Sequence, residues 1–189
     1  MKILITGKRT YGVAQALFEH YPLATFIGRN ESGHDLTDMA VQKDVADIAL
    51  DHDVFINCSA LWRFNQTLLL QAVFQTCWEE KHPIHIINIG STVERVTKGR
   101  VSNYGHDKEA LKNQSHEYSL VGVWNEDAVV KCSYVSFGTM PTPNAMEQHP
   151  NRKKIELYKV ADYIKWLVDQ PKHLHVHELS VDPVQSNVS

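Results

Sequence analysis

A chain of 189 residues with 43% hydrophobic content can bury a full core, and its length is near that of one domain. Nineteen basic against 22 acidic residues leave a net charge of -3 with no long run of either sign, so no broad phosphate-binding surface is indicated and nucleic acid is excluded as the expected partner. Cys58, Cys77 and Cys132 are odd in number and far apart, and no apolar stretch approaches the roughly 18 to 20 residues of a membrane span; a cytoplasmic protein with reduced thiols and no membrane partner is expected.

In chain order, apolar runs of strand length at residues 3–5, 24–27, 54–56, 84–89, 129–137 and 178–181 alternate with segments of helical period at 13–21, 39–50, 65–80, 104–118 and 157–168. Several runs are apolar on successive residues, as strands covered on both faces must be. The pattern predicts an α/β fold of three layers. A doubly wound sheet of about seven mostly parallel strands carries helices on both faces, joined by right-handed crossovers. One domain over residues 1–183 is expected, with 184–189 a flexible tail and 141–152, which holds Pro141, Pro143 and Pro150, a loop without period.

Between the first strand and the first helix stands "TGKRTYGVA". A glycine just past a buried strand lets the chain turn sharply, and a glycine opening the next helix lets a phosphate approach its N–H groups. Gly7 and Gly12 have those places. A nucleoside-triphosphate loop would continue from Gly12 with Lys and Ser or Thr, whereas Val13 and Ala14 follow here. A dinucleotide turn wants a small residue one turn into the helix, and Ala14 supplies it. Two glycines in such a turn are also compatible with an ordinary tight turn.

Further on, "NIGSTVERVTKGRVSNYGHDK" puts Ser91 beyond a buried strand and Tyr104 and Lys108 four residues apart on one helix face. A phenol with a pKa near 10 is a poor proton relay at neutral pH, and a nearby cation favours its ionised form. Lys108 is therefore read as tuning Tyr104 for acid/base work, with Ser91 bonding a substrate oxygen. Taken alone, the same residues suit a solvated Tyr/Lys pair and a serine cap.

The order of these pieces resembles the short-chain dehydrogenase/reductase family, whose members bind NAD(H) or NADP(H) on a Rossmann-type sheet. "TGKRTYGVA" is similar to its Thr-Gly-x-x-x-Gly-x-Gly turn, "NCSA" to its Asn-Asn-Ala-Gly segment, "NIGS" to the serine-bearing strand end, "YGHDK" to Tyr-x-x-x-Lys, and "SFGTMPT" to the Pro-Gly-x-x-x-Thr segment. The resemblance implies an oxidoreductase acting on a small-molecule carbonyl or alcohol, with Ser91, Tyr104, Lys108 and Asn65 as catalytic residues. Asn65 would anchor a water leading from Lys108 to solvent. It implies cofactor contacts from Gly7, Lys8, Arg9, Tyr11, Gly12 and Val13 in the first turn, from Asn57, Cys58 and Ser59 after the third strand, from Tyr104 and Lys108, the latter at the nicotinamide ribose, and from Gly138, Thr139 and Thr142. Asp35 and Leu36 would contact adenine. NAD-preferring members usually carry an acid after the second strand, whereas this chain has Arg29 there and Lys8 and Arg9 in the first turn; NADP is the expected cofactor, with NAD possible. The family's dimerisation helices correspond to 65–80 and 104–118, so a homodimer or homotetramer is expected.

The sequence also departs from the family. The segment from Arg29 to Asp35 is too short for the usual second crossover, and only about a dozen residues separate Thr142 from the next helix, where the family builds its substrate lid. An open site, a large substrate or a loss of turnover are each compatible with that shortening. The alternative function is an NADP(H)-binding sensor or scaffold of the same fold. The "HLHVH" segment is read as surface or strand-edge histidines, and no metal site is expected.

Overall fold

The computed structural model describes residues 1–95, 102–125 and 128–185. Its sheet has six strands, β1 (Ile3–Thr6), β2 (Thr25–Ile27), β3 (Val54–Asn57), β4 (Ile84–Ile89), β5 (Val130–Phe137) and β6 (Glu178–Val181), in the order β2-β1-β3-β4-β5-β6. All five pairings are parallel. Alternation along each strand separates the two covered faces. Ile3, Ile5, Ile56 and Ile87 pack on α1 (Gly12–His20) and the late amphipathic helix Leu157–Val168. Leu4, Phe55 and Ile86 point the other way, onto α3 (Met39–Ala49), α4 (Asn65–Glu79) and α5 (Asn103–Trp124).

Six strands stand where about seven were expected, and the reason lies after β2. There the chain makes only α2 (Arg29–Ser32), one helical turn ended by Gly33 in the left-handed region at φ 76°, before α3 leads directly to β3. No length remains for a further strand and crossover, so β2 becomes the edge.

The segment 141–152, expected as a loop, contains α6 (Pro143–Gln148). Thr142 caps it, its Oγ1 accepting from Ala145 N at 3.4 Å, and Pro143 follows at the first helical position, where its missing N–H costs nothing. The helix Leu157–Val168 is α7. In the expected tail, Gln185 Oε1 accepts from Lys153 N at 3.1 Å, while residues 186–189 lie outside those described.

The chain passes from β1 to β2 on one side and returns to β3 on the other. The crevice beyond the carboxyl ends of β1 and β3 is therefore the switch point of the sheet, where open α/β folds bind ligands.

Candidate active site

Thr6, fully buried at the end of β1, has its Oγ1 accepting from Cys58 N at 2.9 Å and Ser59 N at 3.0 Å, which ties the first turn to the segment after β3. Gly7 follows at φ 138°, and a Cβ there would stand 2.9 Å from Ala14 Cβ. The glycine and the small residue together let α1 press against the strand. Gly12 opens α1 at φ 57°, and a Cβ at that position would meet Thr142 Cγ2 first, at 3.9 Å. The residue before it, Tyr11, provides no side-chain cap to the first N–H groups of α1. Val13 is buried in the core beneath.

A cavity of about 430 Å³ opens beside this turn, lined among others by Gly7, Lys8, Arg29, Asp35, Leu36 and Ser59. Its rim is charged and paired. Arg29 Nη2 donates to Asp35 Oδ2 at 2.5 Å, and Asp35 also accepts from Thr37 N and Oγ1, bonds that hold its carboxyl below the usual range. Arg9 Nε donates to Glu31 Oε2 at 2.7 Å and Arg9 N to Oε1 at 2.9 Å, so Glu31, which sequence reasoning passed over, shares the rim and is kept below its ordinary pKa chiefly by that side-chain bond. Only its position in the shortened crossover could have pointed to it.

The other residues assigned to the cofactor are placed differently. Asn57 is fully buried and braces the structure, its Nδ2 donating to Gln66 O and to Asn88 Oδ1, each at 3.0 Å. Burial pushes the Cys58 thiol up to about 12, so it stays protonated. Gly138 N donates to Val181 O, Thr139 O accepts from Ile155 N, and the Thr142 hydroxyl is the cap of α6.

The residues singled out for chemistry meet at the end of β4. Ser91 follows the strand and caps a single 3-10 turn (Thr92–Glu94), its Oγ accepting from Val93 N at 3.4 Å. Tyr104 is the second residue of α5, which begins at the Ser102 cap with its Oγ accepting from Gly105 N at 3.1 Å. Ser91 is close enough to influence the Tyr104 phenol. Burial raises the phenol's pKa, Ser91 opposes the rise, and Glu94 adds to it. This differs from the expectation that Lys108 depresses it. The Lys108 Nζ lies 5.5 Å from the centroid of the Tyr104 ring and is bonded elsewhere, donating to Gln66 Oε1 at 2.6 Å and Ile89 O at 3.0 Å. Burial brings Lys108 down to about 8, against the opposing influence of Cys58, Asp107 and Glu94. Asn65 is turned away, its Nδ2 donating to Trp62 O at 2.7 Å; the side-chain amide upon Lys108 is that of the next residue, Gln66.

No protein-family model matches the chain, and no curated protein matches it. Its likeness is to solved structures. A short-chain dehydrogenase from Burkholderia cenocepacia in complex with NADP superposes with TM-score 0.75 at 15% identity, over 94% of this chain and 86% of that one. The closed form of serine dehydrogenase complexed with NADP+ gives 0.75 at 17%, over 96% and 94%. A 4-hydroxyisoleucine dehydrogenase mutant complexed with NADH and succinate gives 0.76 at 16%, over 98% of each chain. The chain has the short-chain dehydrogenase/reductase fold.

Within that fold, the link from β3 to α4 is a tight turn. Arg63 and Phe64 both take left-handed backbone, at φ 58° and 61°, and their N–H groups donate to the two oxygens of Asp107, each at 3.1 Å. Asp107, which lies between Tyr104 and Lys108 in sequence and is buried, thus ties α5 to the start of α4. The turn places the Trp62 ring 5.9 Å from that of Tyr104. A second cavity of about 360 Å³ lies between this turn and the first turn of α5. None of this was visible in the sequence, because the strain sits on ordinary residues rather than glycines.

Among the described residues no group of three or more side chains could hold a metal ion, and no helix is long and apolar enough to cross a membrane. His175 and His177 stack at 4.7 Å and bond to Cys132 O and Ser119 Oγ.

Proposed function

We propose that the protein is an oxidoreductase that uses NADP(H) in preference to NAD(H) to interconvert a carbonyl compound and its alcohol, with Tyr104 as proton donor. The observation that carries this reading is the meeting of Ser91, Tyr104 and Lys108 at the carboxyl end of β4, beside the crevice that the sheet opens at β1 and β3. The similar structures whose descriptions name NADP, NADP+ or NADH support it as analogues of fold.

The first turn fits a dinucleotide. Gly7 and Gly12 leave the backbone bare where a Cβ would stand, and the uncapped N-terminus of α1 suits a diphosphate. Lys8 and Arg29 at the rim suit a 2′-phosphate, and the exposed Arg29–Asp35 pair can reopen at little cost. NADPH bound there would supply the hydride.

Tyr104 does the proton work. Burial holds the proton on its phenol, so in the reducing direction it is a donor that can pass that proton to the substrate oxygen. The Ser91 hydroxyl, near the phenol, would bond the same oxygen. The Lys108 ammonium near the ring stabilises the negative charge left on the phenolic oxygen. Gln66 and Ile89 O keep it from swinging into solvent.

The outer faces of α4 and α5 are proposed to pair with a second copy, since Leu120, Val123 and Trp124 near the end of α5 are exposed by 50%, 45% and 81%. Fluorescence titration with NADPH and NADH, followed by a screen of aldehydes, ketones and quinones, tests the function. Tight NADPH binding with no turnover on any carbonyl would turn the reading to a cofactor sensor, and failure to bind either nucleotide would remove both.

A further inference from the structure

We propose that Gln66 is the positioning residue of Lys108, an uncharged side chain that clamps the ammonium at the Tyr104 ring. The inference rests on the reading of Lys108 as the cation serving Tyr104.

Gln66 and Lys108 are each 3% exposed, so neither can make good a lost partner with water. The Gln66 Nε2 group donates to Asn57 O at 2.8 Å, at the end of β3, and to Ile89 O at 3.1 Å, at the end of β4. Those two carbonyls accept only, which fixes which way the amide faces: turned over, it would set its oxygen against both and its NH2 against an ammonium. Oε1 therefore has one place to go, and Lys108 Nζ meets it at 2.6 Å. Ile89 O receives both Gln66 and Lys108, closing a ring of hydrogen bonds across β4, α4 and α5, with the bond to Asn57 O branching to β3. Lys108 has three N–H donors, and two of them are spent in this ring.

The clamp is neutral, and that has a consequence for charge. The ionisable groups around Lys108 are the protonated Cys58 thiol from the segment after β3, Asp107 and Tyr104 from its own helix, and Glu94 from the 3-10 turn. Asp107 is spent on the N–H groups of Arg63 and Phe64, and among the described residues no carboxylate lies within ion-pair distance of Lys108. Burial is the largest influence on the ammonium, Cys58, Asp107 and Glu94 oppose it from a distance, and the pKa comes down to about 8. Removing the Gln66 acceptor withdraws support from the charged form; replacing it with a carboxylate adds support.

The experiment follows the 13C chemical shift of Lys108 Cε with pH in lysine-labelled protein, the signal being assigned by its loss in Lys108→Met. In Gln66→Met the titration midpoint should fall by about one unit, and in Gln66→Glu it should rise by about one unit. Equal midpoints in wild type and both variants would overturn the proposal, because a residue that only fills space would leave them in place. Should a variant not fold, the wild-type protein decides: cross-relaxation between the Gln66 side-chain amide and the Lys108 Cε protons is expected, and its absence overturns the clamp. The alkaline limit of NADPH binding, read in parallel, should move with the midpoint. A midpoint that moves while NADPH binding does not would leave the clamp standing and refute the role given to Lys108.

Discussion

The rim of the 430 Å³ cavity and the cluster at the end of β4 both hold cations, and they hold them in opposite ways. At the rim, Arg29 and Arg9 are half or more exposed and each is answered by a carboxylate, Asp35 and Glu31. In the cluster, Lys108 is buried and is answered by an amide and a backbone carbonyl. Water screens the first arrangement, so its pairs contribute little to stability and are free to exchange partners when an anion arrives. The second has no such freedom. A buried ammonium tolerates one arrangement of its neighbours, which is what a group that must stand in one place requires.

Four measurements put this contrast at risk. The largest effect is expected from Tyr104→Phe, which leaves the packing and removes the proton: carbonyl reduction should fall by about 10² to 10⁴-fold while NADPH affinity, read by fluorescence, stays within about twofold. Next is the pH dependence of stability. Lys108 has its pKa lowered from 10.5 to about 8, so between those values the unfolded chain holds a proton that the folded one has released, and stability contributed by this group rises with pH. Below about pH 8 both states are charged and the full cost of burial remains. The stability difference between Lys108→Met and wild type should therefore shift by about 3 kcal/mol in favour of wild type across that window, measured by urea unfolding. A flat difference would mean that Lys108 is not buried as an ammonium.

Asp107→Ala should come third. It strips the acceptors from Arg63 N and Phe64 N and leaves two left-handed residues unsupported, at a cost of about 2 kcal/mol in unfolding free energy, read from the shift in urea midpoint. The smallest effect belongs to the rim. Arg29→Ala should weaken NADPH by about tenfold and NADH hardly at all, with the unfolding midpoint unchanged. Equal losses for both nucleotides would remove the 2′-phosphate argument.

The same contrast explains what could be read from the sequence alone. The strands were legible because a strand covered on both faces is apolar on successive residues, as in β1 and β3. Helical spacing brings Tyr104 and Lys108 to one face, but the order of the motifs and the family resemblance it carries, not the spacing, singled them out together with Ser91. Gln66 was hidden by its neighbour: Asn65 and Gln66 are both amides in the first turn of α4, and the deciding fact is that position 66 shares the inward face with Leu69, Leu70 and Val73. A hydrophobic pattern treats a glutamine on that face as a break, not as a partner for a lysine 42 residues away. The pairing of Arg9 with Glu31 was equally out of reach, since it depends on how a one-turn helix closes after β2. Thr142 and Pro143, by contrast, carry the ordinary sequence signature of a helix start, a capping hydroxyl followed by proline at the first helical position.

The shortening after β2 also affects how the sheet ends. A sheet margin presents unpaired peptide groups to any passing chain, and long flat margins recruit them. Here the outermost strand is three residues long, with α2 turning the chain away at once. The β2 margin is thus a brief template for edge-to-edge pairing, kept short by the turn into α2 rather than by charge or proline.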